Sequence, residues 1–211
     1  TAAACEKKGA NTELREPDLR DTGAVRSWGE ELSLDPPDLL VANAGMNTNI
    51  DKTPDGEPWE ETEDCVKINL LSVMALTGAL IPAFRARHRG QIAIVSSLAA
   101  YYGLAHTPAY CATKGALKNW GASLRGWLAP EGILVSVVFP GYVRSPMCDA
   151  MPGPKPFLWE PEKAAKYIRA GLERDQGRIS FPFPLNLGIW ALSCLPLFIA
   201  MPIARLLGYG K

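Results

Sequence analysis

A chain of 211 residues is long enough for one well-buried domain and short for two. Lys+Arg 22 balance Asp+Glu 22 with no basic run or stripe, which argues against nucleic acid as a partner. The five cysteines, Cys5, Cys65, Cys111, Cys148 and Cys194, are scattered, odd in number and never spaced CxxC, so free thiols in a reducing cytoplasm are expected, and no metal site.

Thr1 to Gly9 is short and polar and lacks the apolar core of a signal peptide; with no initiator methionine the chain is expected to be a fragment. Thr1 to Lys8 reads as the tail of a helix stopped by Gly9, and Asn11 to Glu16 as a short strand. Asp18 to Asp21 is a loop in which Asp18, Asp21 and Thr22 are each suited to cap the helix that follows, marked by Val25, Trp28 and Leu32 and ended before Pro36-Pro37. Leu39 to Ala42 is apolar at every position, as expected of a parallel strand covered by helices on both faces. Asn47 to Pro58 is polar and rich in turn residues, a surface loop.

A long helix runs from about Trp59 to Arg87, with Pro82 expected to bend or break it. Gln91 to Ser96 is a third strand, Thr107 to Leu128 a helix, and Leu134 to Phe139 a fourth strand ending at Pro140-Gly141. Ser145 to Pro161 holds five prolines and reads as a loop or broken helix able to close over a ligand. Pro161 to Arg174 is a helix and Arg178 to Phe181 a short strand. From Ile179 to Ala204 no residue is charged, but Pro182, Pro184, Pro196 and Pro202 interrupt the run, so short apolar helices are expected rather than a continuous membrane span. Three roles suit them: lying on a membrane surface, covering a substrate cleft, or packing against a second subunit. The chain therefore divides into a domain over 1–178 and an apolar extension over 179–211.

Strands alternating with helices predict an α/β fold, an open parallel sheet wrapped on both faces. In such sheets ligands bind at the carboxyl ends of the strands. The polar clusters lie there: Asp18, Asn43, Ser97, and Gly141 to Ser145. Within Ser97 to Lys114, a helix opened by Pro108 puts Tyr110 and Lys114 four residues apart on one face. An ammonium beside a phenol favours phenolate, which would lower the tyrosine from about 10 towards the range of proton transfer and make it a general acid or base.

Taken in order, Asn43-Ala44-Gly45, Asn69, Ser97, Tyr110-x-x-x-Lys114 and Pro140-Gly141-x-Val143-x-Ser145 resemble the motifs of the short-chain dehydrogenase/reductase family, from Asp18 to about Met147. Serine replaces threonine in the last element. The resemblance implies a Rossmann-like doubly wound sheet and an oxidoreductase moving hydride between NAD or NADP and a secondary alcohol or ketone. It implies Tyr110 as proton donor and Ser97 as second hydrogen bond to the substrate oxygen. Lys114 would bond the nicotinamide ribose, and Asn69 would hold a water linking the lysine to solvent. Asn43, Ala44 and Gly45 would lie along the adenosine side, Asp18 and Leu19 would border the adenine, and Pro140, Gly141, Val143 and Ser145 would contact the carboxamide end. The family's first two strands, the helix between them and the glycine-rich turn that receives the pyrophosphate are absent from this sequence. A small-molecule substrate, homo-oligomerisation and peripheral membrane contact are expected of the parent protein. A catalytically silent binding or scaffold domain is the competing reading.

Overall fold

The computed structural model describes residues 2–50, 55–151 and 153–209. Four strands, β1 (Leu39–Ala42), β2 (Gly90–Val95), β3 (Ile133–Pro140) and β4 (Arg178–Phe181), form one wholly parallel sheet in the order β1-β2-β3-β4. Helices precede, connect and follow them: α1 (Ala2–Glu6), α2 (Thr22–Leu32), α3 (Trp59–Val66), α4 (Ser72–Ala86), α5 (Pro108–Leu128), α6 (Pro146–Ala150), α7 (Pro161–Glu173), α8 (Leu185–Ser193) and α9 (Leu197–Leu206). The predicted α/β fold and its Rossmann-like parallel sheet are present.

The side-chain alternation of the strands divides the core. Ile92 and Ile94 of β2, with Leu40, Ala42, Ile133 and Val135, face α4 and α5 through Val73, Leu80, Phe84, Leu117 and Leu124. Ala93 and Val138 turn the other way, towards Ala164 and Leu172 of α7. Gly121 allows α5 to approach the sheet: a Cβ there would stand 2.5 Å from Val137 Cγ2. Trp59–Ala86 is long and apolar enough to cross a membrane, but Val73, Leu80 and Phe84 place it in the core.

Four expectations are corrected. Asn11 to Glu16 forms no strand; these residues are exposed and pair with no described strand, the outer edge of β1 included. β1 is not covered on both faces, because α7 reaches only the far side of the sheet; Leu39 and Val41 are 40% and 48% exposed. Pro82 does not interrupt its helix. The irregularity lies upstream, in a π-helical turn over Lys67–Leu71 joining α3 to α4. In the Asn47–Pro58 loop, Thr48 is fully buried; residues 51–54 lie outside the described residues. Of the three candidate caps for α2, Asp21 is used, its carboxylate accepting from Ala24 N at 3.0 Å.

Candidate active site

The end of β2 and the start of α5 are joined before any ligand is considered. The Ser96 hydroxyl donates to the Lys114 carbonyl at 2.8 Å, fixing the helix to the strand end. Ser97 follows in extended backbone and caps the short 3-10 turn Leu98–Ala100, its Oγ accepting from Ala99 N at 3.1 Å. Tyr110 and Lys114 stand one turn apart on α5, with Lys114 Nζ 5.7 Å from the centroid of the Tyr110 ring. Nζ also donates to the Val95 carbonyl at 2.9 Å. The serine, tyrosine and lysine named from sequence are therefore brought together.

Their electrostatics differ from the sequence expectation. Burial pushes the Tyr110 phenol up to about 12, opposed by a hydrogen bond from Ser97, so it is not lowered towards neutrality. Lys114 is itself buried, and desolvation brings its ammonium down to about 8. A partly desolvated cation shared with a backbone carbonyl acts weakly on a phenol that is losing water too. At neutral pH the arrangement presents a protonated phenol, which is a proton donor.

Asn69 is fully buried in the π-helical turn. Its Oδ1 accepts from Met46 N at 2.7 Å, while Nδ2 donates to Met46 O at 2.9 Å and Thr113 Oγ1 at 3.1 Å. The side-chain amide thus clamps the loop that leaves β1 onto α5. Gly45 in that loop allows the close approach: a Cβ there would lie 3.4 Å from both Asn69 Oδ1 and Lys114 Nζ.

A cavity of about 930 Å³ opens at the carboxyl ends of the strands, lined by Asn43, Ala44, Gly45, Ser97, Tyr110, Lys114, Pro140, Gly141, Val143 and Ser145. Gly141 N donates to Phe181 O at 2.7 Å, and Val143 bridges to Trp159 across the proline-rich loop. Ser145 caps α6, accepting from Cys148 N at 3.1 Å. Asp18 and Leu19 do not line this cavity. Asp18 is paired with Arg20 at 2.8 Å, and that hydrogen-bonded guanidinium holds its carboxyl down to about 2.

Two contributions were not found from sequence. Thr107 offers α5 no side-chain cap; Glu57, fifty-two residues upstream in sequence, supplies one, accepting from Ala109 N at 3.0 Å and hydrogen-bonding the Thr48 hydroxyl. Tyr102, Leu185, Ile189 and Tyr209 complete the cavity wall, three of them from the apolar extension. No motif links such distant positions, so only a spacing-independent contact signal could have found them.

A family model described as short chain dehydrogenase matches residues 1–153. An uncharacterized oxidoreductase of Myxococcus xanthus is 35% identical over 161 residues, 75% of this chain and 62% of its own length. Ketoacyl reductase HetN of Nostoc sp. is 34% identical over 128 residues, 60% of this chain and 44% of its own. The chain therefore spans between two-fifths and two-thirds of these relatives. A short-chain dehydrogenase of Sphingobium yanoikuyae, solved in complex with NADPH, superposes with a TM-score of 0.76 at 21% identity, covering 92% of this chain and 76% of that one. The matched sequence motifs and the shared sheet make the chain a member of the short-chain dehydrogenase family.

Proposed function

We propose that the protein is an oxidoreductase that transfers hydride between NAD or NADP and a secondary alcohol or ketone with an apolar body. The observation that carries this reading is the convergence of Ser97, Tyr110 and Lys114 on one cavity. The residues suit a nicotinamide nucleoside: open backbone at Asn43 to Gly45, the Lys114 ammonium beside Gly45, and Val143 and Ser145 further round the wall. Bound NAD(P) supplies or takes up the hydride. Relatives described as a ketoacyl reductase and as a dehydrogenase solved with NADPH support the same chemistry.

In the reducing direction, Tyr110 gives its proton to the carbonyl oxygen as the carbon becomes tetrahedral, and Ser97 donates a second hydrogen bond to that oxygen. Lys114 would hold the ribose of the bound cofactor and, 5.7 Å from the centroid of the Tyr110 ring, would offset part of the charge on the phenolate that Tyr110 becomes. Asn69 holds the Gly45-Met46 backbone at its distance from Lys114. Leu98, Leu104, Met147 and Ile189 make the substrate side apolar.

The test is ketone-dependent oxidation of NADH and NADPH by the full gene product. Tyr110→Phe removes the donor and little volume, so turnover should fall by about 10³-fold with cofactor affinity changed less than threefold. Turnover retained by that variant would remove Tyr110 from the mechanism. No turnover by the unaltered protein on ketones of any length would return the silent-domain reading.

A further inference from the structure

Besides Tyr102, the cavity is lined by two phenols that proton and hydride transfer do not use. Tyr142 follows Pro140-Gly141 at the end of β3, and Tyr209 follows α9. The Tyr209 hydroxyl oxygen is buried, with the Tyr142 phenol beside it as its hydrogen-bonding neighbour. Tyr110, Tyr142 and Tyr209 line the same cavity. Burial raises Tyr142 and Tyr209 alike, and both remain phenols able to donate at neutral pH.

Tyr209 is held in place rather than trailing. Its amide donates to the Ala204 carbonyl at 2.9 Å, and its ring joins Tyr102 against the buried cluster of Leu192, Ala200 and Ala204. A Cβ on the preceding Gly208 would stand 3.4 Å from Pro154, so this turn also packs on the proline-rich loop. Two phenols bonded to each other use one of their two hydroxyl hydrogens, and an acceptor brought by a ligand would take the one left over.

We propose that Tyr142 and Tyr209 form a second polar subsite, and that the substrate carries a carbonyl or ester oxygen, separate from the reacting group, which these two phenols bind. This assignment rests on the oxidoreductase reading, with the reacting oxygen at Ser97 and Tyr110. The substrate class is then a ketone, or the corresponding alcohol, with one further acceptor on an apolar chain. A site built to hydrogen-bond a substrate group discriminates against analogues that lack it more strongly than an apolar wall discriminates by size.

The experiment uses the full gene product. The probes are a straight-chain methyl ketone and isosteric keto esters of equal length, with the ester at successive positions. Binding is measured by calorimetry with saturating NADP⁺, and turnover by NADPH oxidation. The unaltered protein should bind the best-placed keto ester about tenfold tighter than the plain ketone, the size of one hydrogen bond. Tyr209→Phe and Tyr142→Phe should each bring that ratio towards one and leave the affinity for the plain ketone within twofold. Thermal melts check that each variant is folded, and the intact ring makes that the expected result. A preference that neither substitution changes, or no preference at any ester position, overturns the subsite. The two readings fail separately. A binding preference lost in the variants without any NADPH oxidation keeps the subsite and overturns the hydride-transfer reading, whereas turnover with equal discrimination in all three proteins does the reverse.

Discussion

Lys114 is a charge in a place that penalises it. Its ammonium is 4% exposed, has Val95 O as its hydrogen-bond acceptor, and is brought by desolvation from 10.5 down to about 8. The sign follows from proton binding. Between about pH 8 and 10.5 the unfolded chain binds more protons than the folded one, so stability rises with pH across that window and the penalty is full below it. Lys114→Met should therefore be more stable than the unaltered protein by about 2 kcal/mol near neutral pH, after allowing for the lost bond to Val95. The advantage should shrink towards zero by pH 10.5. Urea unfolding midpoints at both pH values check this; equal midpoints near neutrality would mean that the buried charge is compensated. The same variant should be inactive, since the ribose and phenolate lose their cation. A residue that costs stability where it stands is expected of a functional site.

At the scale of elements, α5 carries Tyr110 and Lys114, and two distant residues set its position. Glu57 caps its N-terminus one residue before Tyr110, where a carboxylate also meets the positive end of the helix. Glu57→Ala should cost about 1 kcal/mol in unfolding free energy and lower kcat about tenfold through misplacement of Tyr110, with Glu57→Gln recovering most of the rate because it keeps an acceptor. Steady-state kinetics and denaturation of the two variants check this. Further along the helix, Gly121 faces Val137 Cγ2 at a distance no real Cβ could occupy, and Ile94 Cδ1 would lie 3.2 Å from that Cβ. Gly121→Ala should destabilise by about 2 kcal/mol, and adding Val137→Ala should recover part of that loss, since the clash is with one branched side chain. Additive losses in the double variant would show that the helix shifts instead.

For the whole molecule, the sheet has one open side. β1 hydrogen-bonds only to β2 among the described strands, and its second face is uncovered at Leu39 and Val41. At the other end, α8 turns Leu185 and Ile189 towards the cavity, and α9 leaves Phe198 78% and Leu206 88% exposed. An unpaired strand edge beside apolar surface promotes association. The chain Thr1–Lys211 expressed alone should self-associate, and Val41→Lys should shift its light-scattering mass towards the monomer at equal concentration, because a lysine on an edge strand opposes pairing. An unchanged mass would place the association at the α8 and α9 face, where Phe198→Ser would then be the variant that reduces it.

The local signals in the sequence were strong where the chain repeats a physical period or a short motif. β1 and β4 were bounded to the residue, α2 and α5 nearly so, and Ser97, Tyr110, Lys114 and Gly141 to Ser145 could be named because strand ends and a four-residue helix spacing fix them locally. What the tertiary structure decided depends on partners distant in sequence. Asn11 to Glu16 has strand composition but pairs with no described strand, and Leu39 and Val41 read as core yet are 40% and 48% exposed. The direction of the Tyr110 shift followed from burial, which no spacing reports. The Glu57 cap and the Tyr142 and Tyr209 phenols likewise meet the site only through folding, since hydrogen bonds and desolvation are set by distance in space, whereas periodicity records distance along the chain.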